Sequence, residues 1–146
     1  MKKKIITICS SGSHYRQVIE YRDKLLSMGF KVLIPATALI MEKTGDYDIN
    51  KHKVWFNDPK KYNVKTSKMK VHLSKIKKGD AILVTNFTKK GQKGYIGGNV
   101  LLEIFYAWIL KKPIYLLNSP SPKVPLLEEV FGMNPIIING DLSKIR

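Results

Sequence analysis

A single glutamate in an otherwise apolar segment is the residue of this sequence best suited to do chemistry. Glu103 follows the glycine pair Gly97 and Gly98, and every other residue in 100–110 is apolar or aromatic. Asn99 is a residue type that caps helices, and a carboxylate early in a helix is stabilised by the helix dipole. Glu103 could accept N–H groups of its own loop, as a capping-box residue does, or act as a nucleophile at an anomeric carbon. The residues alone leave both roles open.

A short polar turn is the second candidate site. Ser10, Ser11, Gly12 and Ser13 stand between a buried segment and the start of a helix, where N–H groups and hydroxyls favour an anion. Arg16 could add a fork of donors in the first helical turn. The alternative is a simple cap formed by Ser13. The turn is neither a P-loop nor a dinucleotide-binding fingerprint, because both glycine patterns are missing.

Alternating strands and helices must position these residues. Short apolar runs predict strands at 4–9, 30–35, 80–86, 113–118 and 135–139. Helical spacing predicts helices at about 14–28, 64–77, 99–110 and 126–133. This order predicts an α/β fold: one doubly wound, Rossmann-like or flavodoxin-like parallel sheet of about five strands with helices on both faces. Residues 1–146 are expected to form one domain, with ligands beyond the carboxyl ends of the strands.

The composition restricts the partners. Lysine and arginine number 26 against 11 acidic residues, giving a net charge of +15. Residues 51–93 alone hold thirteen lysines and two acids. Such a field attracts anions, and a nucleic acid is open as a partner but not favoured over a solvated lysine-rich surface. No apolar run is long enough for a membrane span, so no membrane association is expected. The short apolar run after the basic start does not make a signal peptide, and a cytoplasmic location is predicted.

Metal and redox chemistry are not predicted. The lone Cys9 excludes an internal disulfide and a multi-cysteine zinc site, and a core role is favoured over a nucleophilic one. His14, His52 and His72 are scattered without the spacing of metal ligands, so solvated or satisfied histidines are expected. The sequence therefore predicts no cofactor.

The region around Glu103 resembles the nucleoside 2-deoxyribosyltransferase-like superfamily over about residues 80–117, and residues 4–35 resemble it in outline. The resemblance is carried by Asp80, Asn86, Gly98, Glu103, Ile104, Ala107, Lys112 and Pro113. It implies a small α/β sandwich whose members cleave the N-glycosidic bond of a deoxyribonucleoside or its monophosphate. By this resemblance Glu103 matches the nucleophile, which attacks C1′ and passes the sugar to another base or to water.

The sequence departs from the family at the position that holds the sugar. Members that transfer between bases usually carry an aspartate about six residues before the glutamate, where this chain has Gly97. Asn99 or Asn86 could hold a sugar hydroxyl instead. Tyr95 is a candidate general acid, as are Asp46 and Asp48 of the irregular middle segment, residues 42–61. A hydrolase of nucleoside monophosphates fits the polar turn and the positive field better than a transferase does.

These arguments give one set of expectations. Glu103 is the predicted catalytic residue. The predicted substrate-binding residues are Ser10, Ser11, Gly12, Ser13, Arg16, Asn86, Tyr95, Gly97, Gly98 and Asn99. The ligand is a nucleoside or nucleotide, and the resemblance implies a homo-oligomer, since neighbouring subunits often complete such sites. A non-catalytic nucleotide-binding module and a lysine-driven nucleic-acid-binding protein are the alternatives.

Overall fold

The computed structural model describes residues 2–146 and contains one sheet of five parallel strands. The strands are β1 (Ile5–Cys9), β2 (Lys31–Leu33), β3 (Ala81–Val84), β4 (Ile114–Leu116) and β5 (Ile136–Ile137), in the order β2-β1-β3-β4-β5. The helices are α1 (Tyr15–Ser27), α2 (Ala36–Thr44), α3 (Tyr62–Lys78), α4 (Gly98–Ile109) and α5 (Leu127–Gly132). The predicted α/β class and the five-stranded parallel sheet are confirmed.

The two faces of the sheet are both covered, and β1 supplies side chains to each. Ile6 and Ile8 pack with Val18 of α1 on one face. Cys9 packs with Ile76 of α3 on the other. All five side chains are fully buried, and each large aliphatic one stabilises the fold by about 1.5–3 kcal/mol. Helices on both faces make the sheet doubly wound.

The order of the strands reverses direction between β1 and β3. Cys9 and Val84, the last residues of these neighbouring strands, are paired in register. One chain continues from β1 into α1, and the other continues from β3 toward α4. A crevice therefore opens where the two chains part, which is the usual place for a ligand in such sheets.

The middle of the chain is more regular than the sequence indicated. Residues 36–41, whose sequence allows a helical turn, form most of α2, which ends at Thr44 and is capped by Gly45 with a left-handed φ of 74°. Three short 3-10 turns follow, at Ile49–His52, Val54–Phe56 and Pro59–Lys61. Trp55 is buried among them and anchors the excursion.

Helix α4 differs from its expectation. Because nearly every residue of this helix is apolar, its sequence predicts that all of its sides are buried. The structure buries Val100, Ile104 and Ala107 but leaves a stripe of four large side chains on the outer face exposed. The stripe consists of Leu102, Phe105, Trp108 and Ile109. Across residues 2–146, no helix combines the length and the apolar character needed to span a membrane.

Candidate functional site

A cavity of about 270 Å³ opens at the carboxyl ends of the strands, beside the divergence of β1 and β3. Its walls come from the turn after β1, the start of α2, the 3-10 turns, α3, and the loop and first turns of α4. The residues that matter below are Ser11, Gly12, Lys53, Trp55, Lys65, Lys68, His72, Lys89, Tyr95, Asn99 and Glu103. The cavity is large enough to hold a small organic ligand.

Glu103 lies in the second turn of α4 and is 6% exposed. Among the described residues that line the cavity it is the one acidic side chain. The cap at this helix end is Gly97 rather than the expected Asn99, and no hydrogen bond joins Glu103 to its own loop among residues 2–146. Six residues from the cap, Glu103 is also too far along for a capping box. The capping role left open by the sequence is therefore wrong.

Two further buried side chains lie against Glu103. The Nε2 atom of His72 is 3.7 Å from Glu103 Oε2 and 3.6 Å from Cys9 Sγ. The three donor atoms all lie within 4.8 Å of one another. His72 Nδ1 is buried without a hydrogen-bond partner in the described structure. The nearby backbone of Ile8 favours the protonated form of the His72 ring.

Burial keeps this cluster uncharged. Loss of hydration raises the pKa of Glu103 to about 8, while the nearby ammonium of Lys65 lowers it in part. Burial raises the pKa of the Cys9 thiol well above its usual range, and the Glu103 charge adds to the effect. Burial and the charge of Lys75 lower the pKa of His72 to about 4. The close His72–Glu103 pair is therefore a neutral pair and not an ion pair at pH 7.

Thiolate, imidazole and carboxylate are donors that together can bind Zn²⁺. Here Cys9 and Glu103 would each have to release a proton to do so, and a cation would have to pass the lysines that line the cavity. The three groups are better suited to sharing a proton close to the cavity wall.

The sequence contained a signal for His72 that its histidine spacing did not reveal. In the segment predicted as a helix, the apolar Met69 and Ile76 stand three residues before and four residues after His72. This spacing places all three on one helical face. Of the two expectations for this histidine, solvated or satisfied, the solvated one does not hold, since His72 is buried beside Cys9 and Glu103. The cluster with Glu103 was missed because its members are far apart in the chain.

The polar turn after β1 reaches the cavity only in part. Ser10, Ser11 and Gly12 line it, although Ser10 is mostly buried and its Oγ donates to the Thr85 carbonyl at 3.1 Å. Gly12 has no room for a side chain, because a Cβ would come within 2.5 Å of Ile49 Cδ1. Ser13 is outside the cavity lining, and the cap of α1 is His14 rather than the expected Ser13.

Two predicted substrate contacts lie elsewhere. The Arg16 guanidinium stacks 4.4 Å from the centre of the Tyr47 ring and does not line the cavity. Asn86 Nδ2 donates to the Asn118 carbonyl at 2.7 Å, and its Oδ1 accepts from the Asn118 N–H at 2.9 Å. These bonds tie the loops after β3 and β4 together, so Asn86 holds the sheet edge and not a ligand in this cavity.

The glycine-rich loop before α4 does form a wall of the cavity. Tyr95, Gly97, Gly98 and Asn99, four of the predicted substrate-binding residues, all line it. Gly94 brings this loop against the turn after β4: its φ is 69°, and a Cβ would lie 2.0 Å from the Ser119 carbonyl oxygen. The loop therefore requires glycine at this position for both backbone angle and space.

Four lysines of the basic segment line the same cavity: Lys53, Lys65, Lys68 and Lys89. Within residues 2–146, none of them forms a salt bridge. Burial lowers the pKa of Lys65, Lys68 and Lys89. The aspartates of the middle segment do not compensate these charges, because Asp46 pairs with Lys51 outside the cavity.

Comparison of this chain with family models, curated proteins and solved structures finds no match.

Proposed function

We propose that this protein binds a nucleoside or nucleoside 5′-monophosphate in the cavity and cleaves or transfers its N-glycosidic bond. The observation that carries the proposal is the position of Glu103, a lone carboxyl group on the wall of a cavity otherwise rich in lysines. Such a cavity suits an anionic ligand, and a carboxylate is a suitable nucleophile for an anomeric carbon. The resemblance of residues 80–117 to nucleoside 2-deoxyribosyltransferases supports the same chemistry.

The reaction has two steps. A carboxylate oxygen of Glu103 attacks C1′, the C1′–N bond breaks, and its electron pair leaves with the base, which takes a proton from Tyr95 or from water. Water or a second base then attacks C1′ and gives up a proton to Tyr95 or to solvent, the ester bond breaks, and the Glu103 carboxylate is restored. Both steps pass through transition states with positive charge at C1′, which the nearby carboxylate stabilises.

The phosphate is assigned to the turn after β1. Lys89 Nζ donates to Ser11 Oγ at 2.7 Å, so an ammonium and a hydroxyl meet at the cavity wall. Ammonium and hydroxyl donors of this kind bind phosphate oxygens.

The test is release of free base from a panel of ribo- and deoxyribonucleosides and their 5′-monophosphates, with and without a second base as acceptor. We expect release from at least one compound, and a loss of 10³-fold or more in Glu103→Gln and Glu103→Ala. Glu129→Gln, an exposed residue of α5, is the matched control and should retain full activity. No release from any compound by folded protein would overturn the proposal.

A second candidate is a nucleotide-binding module without turnover. It is favoured by the pKa of Glu103 near 8, because most of the carboxyl groups are protonated at pH 7 and a protonated carboxyl is a poor nucleophile. This candidate predicts nucleotide binding with no released base, and unchanged affinity in Glu103→Gln.

We also propose that the chain forms a homo-oligomer through the outer stripe of α4. Leu102 and Ile109 are each more than half exposed, and Phe105 and Trp108 lie between them with their rings 5.9 Å apart. An exposed apolar surface on one helix is typical of a protein interface.

A further inference from the structure

The cavity holds more positive charge than a monophosphate would neutralise. Its four ammonium groups have one carboxyl group beside them, that of Glu103, and burial keeps this group mostly protonated at pH 7. A nucleoside monophosphate brings a charge of about −1.5 to −2 at this pH. Roughly two of the four lysine charges would stay uncompensated in a partly buried place, which is unfavourable.

The lysines form two groups on different walls. Lys89 follows β3 and contacts Ser11, as described above. Lys65 and Lys68 lie one turn apart on α3, where Lys68 Nζ donates to Thr37 Oγ1 at 3.0 Å and Lys65 Nζ donates to Asn99 Oδ1 at 3.3 Å. The charge of Lys53 adds to the lowering of the pKa of both Lys65 and Lys89. Lys53 is therefore near enough to both groups to interact with either.

The second group is held in place by an aromatic wall. The Nζ atoms of Lys65 and Lys68 lie 5.4 and 5.8 Å from the centre of the buried Trp55 ring. Ammonium groups at this distance are attracted to the face of the ring. The partners of these two lysines are neutral oxygens of Thr37, His52 and Asn99, which an anion can replace as acceptors.

We propose that the ligand of this cavity carries two separated phosphate groups, one at Ser11 and Lys89 and the other between Lys65 and Lys68. The inference rests on the proposed nucleotide site and specifies its substrate class: a nucleoside bisphosphate or another nucleotide with phosphates at both ends. Two phosphates bring a charge of about −3 to −4, which matches the four ammonium groups.

The experiment measures affinity by titration calorimetry on Glu103→Gln, which keeps any substrate intact. The ligands are the 5′-monophosphate, 5′-diphosphate and 3′,5′-bisphosphate of adenosine, guanosine, cytidine and uridine. For the best base, we expect the 3′,5′-bisphosphate to bind at least tenfold more tightly than either of the other two at 0.1 M salt. A 5′-monophosphate or 5′-diphosphate that binds as tightly as the bisphosphate would overturn the proposal, and so would binding of none of them.

Variants of α3 locate the second phosphate. Lys68→Met should weaken bisphosphate binding at least tenfold and monophosphate binding by a clearly smaller factor, whereas Lys68→Arg should keep most of the affinity. Lys70→Met removes the same charge from an exposed position of the same helix and should change neither affinity more than about twofold. Equal losses for the two ligands, or equal losses in Lys68→Met and Lys70→Met, would contradict the assignment.

The outcome is separable from that of the glycosidic chemistry. Tight bisphosphate binding without base release would leave this inference intact and overturn the nucleophilic role of Glu103. Base release from monophosphates that bind as tightly as bisphosphates would do the reverse.

Discussion

At the scale of single residues, the protonation of Glu103 determines what the cavity can do. Cys9 of β1 and both His72 and Lys65 of α3 lie near this carboxyl group. Tyr15 of α1 is also close, because burial and then the Glu103 charge raise the pKa of Tyr15. Of these groups Lys65 alone carries a charge at pH 7, and it favours the carboxylate. A phosphate bound near Lys65 would oppose that effect, so substrate position and nucleophile charge are linked.

A pH profile tests this charge state. In the proposed mechanism the Glu103 carboxylate is the nucleophile, and its pKa is about 8, so kcat/KM for the best substrate should rise about tenfold per pH unit from pH 6.5 and level off above pH 8. Lys65→Met removes the positive charge that lowers this pKa, so its profile should level off at higher pH. Lys70→Met is the matched control and should keep the wild-type midpoint. A flat profile between pH 6 and 9 would contradict a buried, protonated Glu103.

The residue scale also shows where sequence reasoning stops. The type and setting of Glu103 were enough to single it out, because a lone carboxyl in an apolar helix next to glycines is unusual, and the structure places it on a cavity wall. The cluster with Cys9 and His72 depends on how α3 packs against β1, because these two residues are 63 positions apart in the sequence. Arg16 fits an anion site by type and spacing, yet its guanidinium stacks on Tyr47, a contact that no local pattern specifies.

At the scale of elements, the loop between β3 and α4 is fixed by its contact with the turn after β4. The Ser121 N–H donates to the Gly94 carbonyl at 3.1 Å, and Gly94 packs directly on Ser119. This contact holds Tyr95 and Gly97 at the cavity wall. The sequence predicted a glycine-rich ligand loop, but which glycine supports the loop is a property of the packing.

A pair of glycine variants separates backbone angle from close contact. Gly94 and Gly91 have similar left-handed φ angles of 69° and 71°, but only Gly94 has no room for a Cβ. Gly91→Ala should cost about 1–2 kcal/mol of unfolding free energy, from the angle alone. Gly94→Ala should cost at least about 2 kcal/mol more, because the loop must move away from Ser119. Chemical denaturation measures both, and equal losses would contradict the packing argument.

Helices and strands differ in how well their positions follow from the sequence. Strands β1 and β3 are short runs of apolar residues, and few structures other than a buried strand fit such a run. The N-terminal cap of α4 was misplaced by two residues, because the glycine at position 97 takes an extended φ and ψ that the capping preference of Asn99 did not anticipate. Capping preferences are worth only about 1 kcal/mol, so tertiary contacts override them.

At the scale of the whole molecule, the basic charge is distributed between the cavity and the surface. Four of the thirteen lysines in residues 51–93 line the cavity, and many others on the same segment are exposed. A duplex nucleic acid could contact only the exposed ones, and its affinity would fall steeply with salt. A small anion inside the cavity is screened less, which favours a nucleotide over a nucleic acid as the ligand.

The exposed stripe of α4 predicts the assembly state. Phe105→Glu places a charge in the centre of the stripe and should convert the oligomer to a monomer, because a buried unpaired charge opposes association. Phe131→Glu is the matched control: Phe131 is 46% exposed on α5, against 49% for Phe105, and lies outside the stripe. Size-exclusion chromatography with light scattering measures the mass of the assembly in each variant. A monomeric wild-type chain, or equal effects of both variants, would contradict this interface.

The central claim is that Glu103 forms a covalent bond to the sugar, and trapping that bond tests it most directly. The protein is incubated with the 2′-fluoro analogue of its best substrate, whose fluorine slows both steps, and is then digested and analysed by peptide mass spectrometry. We predict a mass increase equal to one fluorinated sugar, or sugar phosphate, on the peptide that contains Glu103, and none in Glu103→Gln. An unmodified Glu103 peptide from an enzyme that the analogue inactivates, or an adduct on another residue, would contradict the account.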